Sequence, residues 1–147
     1  MDVLLAPGAE DNGLCTMLAA LVRQNLAAKP HKRADFRALA GNVAIVAEDA
    51  EVALTMRFDS GKVTLHDGIV GVPDVTIRGP ADAIVGLSNV PLSTRFALPI
   101  ARRGDAEGQR AARTMLRGLR DGSLRVHGAL ANPALVLRLT RVMSVNG

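Results

Sequence analysis

Between Asp11 and Ala28 the apolar residues Leu14, Met17, Leu18, Leu21, Val22 and Leu26 return every three or four positions. That is the spacing of one face of an α-helix, and Pro30 ends it. A shorter helix is expected at residues 34–40, closed by Gly41, with the polar "HKR" of residues 31–33 as a solvated join. The pattern then changes period. Residues 43–47 are continuously apolar, and after the acidic turn at Glu48 and Asp49 the residues Val52, Leu54, Met56 and Phe58 alternate with Ala53, Thr55 and Arg57. "DSGK" at 59–62 reads as a hairpin turn, Val63 and Leu65 alternate with Thr64 and His66, and "DG" turns the chain again. Val75 and Ile77 alternate with Thr76 and Arg78, and Leu124 and Val126 with Arg125 and His127. Five strands are therefore expected. Asn132 before Pro133 reads as an N-cap accepting from an orphan amide, with proline at the first helical position, so a last helix should run from Pro133 to about Met143.

The alternating positions Arg57, Thr64, His66, Arg78, Arg125 and His127 are all polar, which makes one sheet face wet and the other dry. Helices should stack on the dry face alone. The expected fold is a two-layer α+β domain with a five-stranded, mostly antiparallel sheet covered by helices on one side. Residues 1–147 form one domain, with residues 1–10 a short N-terminal extension.

Composition sharpens this picture. Nearly half of the residues are apolar, there is no Trp or Tyr, and the aromatics are Phe36, Phe58 and Phe96. So aliphatic an interior suits a packed core and equally a hydrocarbon ligand. Cys15 is the single cysteine, which excludes a disulfide framework and a Cys-based metal site, and its neighbours Leu14, Met17 and Leu18 mark a buried, inert thiol. The opening "MDVLLAPG" carries an acid where a secretory signal needs a base, and no stretch reaches the roughly 20 apolar residues of a membrane span. A cytoplasmic location is expected.

At residues 73–87, "PDVTIRGPADAIVGL" joins a polar-aliphatic strand, a Gly-Pro corner and an amphipathic helix; at 120–139, "RDGSLRVHGALANPALVLRL" runs from a short strand through a closing glycine into the last helix. With the hairpin "MRFDSGKVTLHDG" at 56–68 in front, their order resembles the sterol-carrier-protein-two (SCP2) family, over residues 15–144. Two features depart from that family: Gly128 is followed by Ala129 where an acid is common, and residues 92–120 make a longer connection. The resemblance implies an SCP2-like fold and a lipid-binding tunnel between sheet and helices. Such a protein carries sterols, fatty acyl chains or phospholipids without chemistry of its own. The inward-facing Met56, Phe58, Ile84, Leu87, Phe96, Leu116, Leu119, Leu135 and Leu139 are the candidate ligand contacts, each of them equally able to pack a core.

Within the longer connection, a helix from Asp105 to Arg120 puts Arg110, Arg113, Arg117 and Arg120 within about a quarter-turn, opposite Ala112, Met115, Leu116 and Leu119. No acid interleaves with the arginines. The stripe is either a solvated face or a docking surface for an anionic membrane. The formal net charge of +4 agrees with a weak affinity for anionic surfaces.

Enzyme chemistry finds no foothold. His31, His66 and His127 lack metal-ligand spacing, Ser88, Ser93 and Ser123 lack a G-x-S-x-G elbow, and no nucleotide-binding glycine loop occurs. The expectation is a non-catalytic, cofactor-free lipid carrier, its alanine, arginine and glycine richness pointing to a bacterial source. The alternative is an accessory domain, dimerising or nucleic-acid-contacting, with a vestigial pocket. Nucleic acid is the weaker partner, because single-strand binding needs exposed aromatics.

Overall fold

The computed structural model describes residues 2–86 and 106–144. In chain order its elements are β1 (Asp2–Leu5), a 3-10 turn (Ala9–Asp11), α1 (Gly13–Ala28), α2 (Lys32–Ala38), β2 (Ala40–Ala47), β3 (Val52–Asp59) and β4 (Lys62–Asp67). They continue with β5 (Val75–Gly79), α3 (Ala81–Gly86), α4 (Ala106–Asp121), β6 (Arg125–His127) and α5 (Pro133–Met143). The fold is α+β, and the strands form one sheet in the order β1-β4-β3-β2-β5-β6.

The sheet has six strands, not five, and it is mixed. β4-β3, β3-β2 and β5-β6 pair antiparallel, whereas β1-β4 and β2-β5 pair parallel. The extra strand is β1, inside the stretch expected to be a mere extension. The Asp2 amide donates to the Gly61 carbonyl at 3.0 Å, and Ala6 donates to Leu65 at 2.9 Å. On the other side, Arg23 of α1 donates to the Val3 carbonyl at 2.7 Å, which occupies one polar group of this edge.

Period-two alternation fixes which side of each strand is dry. Val43 pairs with Met56 and Val75, Ile45 with Leu54 and Ile77, and Ile77 with Val126. These side chains therefore share one face, and the helices pack there. Phe36 of α2 meets Phe58 edge-on, ring centroids 6.3 Å apart. The opposite face is not uniformly wet: Thr55 and Ala44, a cross-strand pair on that side, are fully buried. The chain after β4 folds back over them, the Thr55 hydroxyl donating to the Gly68 carbonyl at 2.9 Å and accepting from the Val70 amide at 3.0 Å.

The helix boundaries follow their caps, with two corrections. The Asn12 carboxamide oxygen accepts from the Leu14 and Cys15 amides and starts α1. Asn132 does not cap α5 in this way: its amide nitrogen donates to the carbonyls of Asp74 and Gly128, stitching the turn to β5. The "HKR" join is not wholly solvated either, because Lys32 is buried and its ammonium donates to the Arg141 and Ser144 carbonyls at the end of α5.

Candidate functional site

A cavity of about 310 Å³ lies between the sheet's dry face and the helices. Its floor is Ile45 of β2, Val75 and Ile77 of β5, and Val126 of β6. Three adjacent strands thus contribute same-face aliphatic side chains, and Ile45, Ile77 and Val126 stand in one cross-strand row. One wall is Met17, Leu18 and Leu21 of α1; another is Val136, Leu139, Thr140 and Met143 of α5, spaced i, i+3, i+4 and i+7 along a single helix face. Ile84 and Val85 of α3 and Met115 of α4 complete the lining. Met17 and Val85 are exposed and mark where the lining reaches the surface.

The chemistry of this space is uniform. Among the described residues of the lining Thr140 supplies the one polar side chain, and its hydroxyl donates to the Val136 carbonyl within α5. The described lining residues include no titratable group. Among the described residues no cluster of His, Cys, Asp or Glu could hold a metal ion. An apolar space of this kind repels water, which needs polar partners, and accepts hydrocarbon. Cys15 lies outside it: the thiol is fully buried, its sulfur against the His66 carbonyl, and burial, with Asp67 adding to the effect, pushes its pKa up to about 11. It stays a neutral thiol.

The residues singled out from sequence divide by position. Ile84 and Leu139 line the cavity. Met56, Phe58 and Leu135 are buried in the core beside it rather than in its lining. Leu116 and Leu119 are exposed on α4, 58 % and 45 % respectively, while their neighbour Met115 turns into the cavity. Arg110, Arg113, Arg117 and Arg120 are all exposed on that helix. Leu87 and Phe96 lie outside the described residues. Periodicity alone missed Met17, Leu18 and Leu21 as cavity residues, although their helical spacing had marked them as inward-facing.

The sequence profile of the SCP-2 sterol transfer family matches residues 19–97, from the middle of α1 past the end of α3. The chain belongs to the SCP-2 sterol transfer family. A solved structure described as UbiJ-SCP2, a ubiquinone synthesis protein, shares this SCP-2 fold with a TM-score of 0.60 over 94 % of this chain and 98 % of that one. At 14 % sequence identity the likeness is one of fold alone. No curated protein matches the sequence. Leu21 of the α1 wall, the floor strands β2 and β5 and the α3 residues of the lining fall inside the matched segment, whereas Met17 and Leu18 precede it and α4, β6 and α5 lie beyond it.

Proposed function

We propose that this SCP-2 domain binds a lipid by its hydrocarbon part in the sheet–helix cavity and carries it without altering it. The observation that carries this reading is the lining, which among the described residues comprises thirteen aliphatic or thioether side chains and one threonine whose hydroxyl proton is already donated. Family membership supports the same class of ligand.

Size narrows the class. A dry cavity of roughly 150 Å³ holds one benzene ring, so a space about twice that size takes on the order of a dozen carbons. One acyl or prenyl chain, or part of one, fits that allowance. A sterol, with roughly 27 carbons, would need on the order of 700 Å³ by the same scaling. We take the ligand to be held by a single acyl or prenyl chain, its polar end at the surface where Met17 and Val85 emerge.

Uptake of a naturally fluorescent polyene fatty acid tests the assignment. Val136→Phe and Ile77→Phe each place extra atoms in the cavity, and both should lower uptake at least about tenfold while circular dichroism stays that of the parent. Equal uptake by parent and both variants would place the ligand elsewhere and leave the accessory-domain alternative.

A further inference from the structure

We infer that the outer face of α4 is a docking surface for an anionic lipid bilayer, with Leu116 and Leu119 entering the headgroup layer and the four arginines gripping phosphates beside them. Going round the helix at 100° per residue gives an ordered series of environments. Gly118 is buried, a Cβ there meeting Leu124 at 3.0 Å, so this side is held against the domain. Met115 comes next and lines the cavity. Leu119 and Leu116 then fill the roughly 140° sector between Met115 and Arg120, both exposed. Arg120, Arg113, Arg117 and Arg110 follow within roughly 80°.

Two exposed leucines flanked by a run of exposed cations are poorly explained as a solvated face. Among the described residues neither salt bridge involves these arginines, and the exposed Asp121 carboxylate at the helix end feels the charge of Arg117. A face of bare charge would suit any polyanion, but nucleic acid offers leucine no apolar environment outside the base stack. The interfacial layer of a bilayer supplies both parts at once, hydrocarbon a few ångströms deep for the leucines and phosphates above it for guanidinium groups on flexible stems. The docking face also adjoins the wall of the cavity through Met115, which places the bilayer next to the compartment that the proposed ligand must enter and leave.

The experiment is co-sedimentation of the full chain, with no added ligand, on vesicles of phosphatidylcholine alone or mixed with phosphatidylglycerol. Failure here is separable from failure of the cavity assignment, which fatty-acid uptake reads without vesicles. The parent should bind the anionic vesicles and not the neutral ones, and binding should fall at least about tenfold between 0.05 M and 0.5 M salt. Arg110→Gln/Arg113→Gln/Arg117→Gln/Arg120→Gln should weaken it by more than about a hundredfold, at about fivefold for each arginine. Leu116→Gln/Leu119→Gln, with the parent's circular dichroism, should weaken it at least about tenfold. Binding that is indifferent to lipid charge, or unchanged in the leucine variant, would overturn the inference. So would tighter binding to a labelled DNA duplex that ignores the leucines, or a parent dimer that the leucine variant converts to monomer, since a nucleic acid or a second copy would then own the face.

Discussion

Gly128 ends β6 with a φ of 84°, and a Cβ at that position would stand 2.1 Å from the Asp74 carbonyl oxygen. The glycine-closed strand that made the sequence resemble SCP2 proteins therefore has a steric cause: the turn into α5 passes directly over the start of β5. Asp74 is held there on three sides, its carboxylate accepting from the Asn42 amide, its own amide donating to the Asn42 carbonyl and its carbonyl accepting from Asn132. Gly128→Ala combines a left-handed backbone with a backbone clash and should cost about 3 kcal/mol or more, measured by urea unfolding. Lys32 is a residue-scale feature that pattern reading concealed, because a lysine between His31 and Arg33 looks solvated whichever way it points. Burial pulls its pKa from 10.5 down to about 8, Lys29 adding to the fall and Asp35 opposing it. Between pH 8 and 10.5 the unfolded chain then holds a proton that the native chain has released, so stability should rise with pH across that window. Lys32→Met should remove that rise from a series of denaturant midpoints; a slope retained in the variant would assign it to other groups.

The elements themselves were largely legible, and the exceptions have physical reasons. α1 and α5 announce themselves by helical spacing, β3 and β4 by alternation about "DSGK", and each forms where expected. β1 did not, because a parallel strand leaves no turn signal beside its partner: Asp2–Leu5 pairs with Lys62–Leu65, far along the chain. The wet-face reading failed at Thr55 for a similar reason, since only the fold-back after β4 shows what covers it. Asn12 shows how much one position can carry for an element. Beyond capping α1, its amide donates to the Ala53 carbonyl and to Asp67, tying the helix start to both strands of the hairpin. Asn12→Ala should cost about 2 kcal/mol by thermal or urea unfolding, more than an ordinary cap, and Asn12→Asp should recover the cap but not the two donated bonds.

At the scale of the molecule, the strand order decides what the cavity is made of. Alternation told which face of each strand is dry, but not that β2, β5 and β6 would lie together at one end of the sheet. Met56 and Phe58 point to the correct side and still miss the cavity, because β3 lies toward the other end, where Phe36 packs on Phe58. Likewise Leu135 and Leu139 share a helix face, yet Leu135 lies against the backbone at Gly41 and only Leu139 reaches the lining. A space of about 310 Å³ assembled in this way should discriminate by cross-section: unlabelled twelve-carbon fatty acid should displace a bound fluorescent fatty acid at lower concentration than cholesterol does. The most direct measurement of the central claim is a native mass spectrum of the protein purified without detergent. The account predicts a folded species carrying one non-covalent hydrocarbon adduct that organic extraction removes, with the adduct depleted in Val136→Phe. A folded parent that shows only its bare mass, and stays bare after incubation with single-chain lipids, would contradict it.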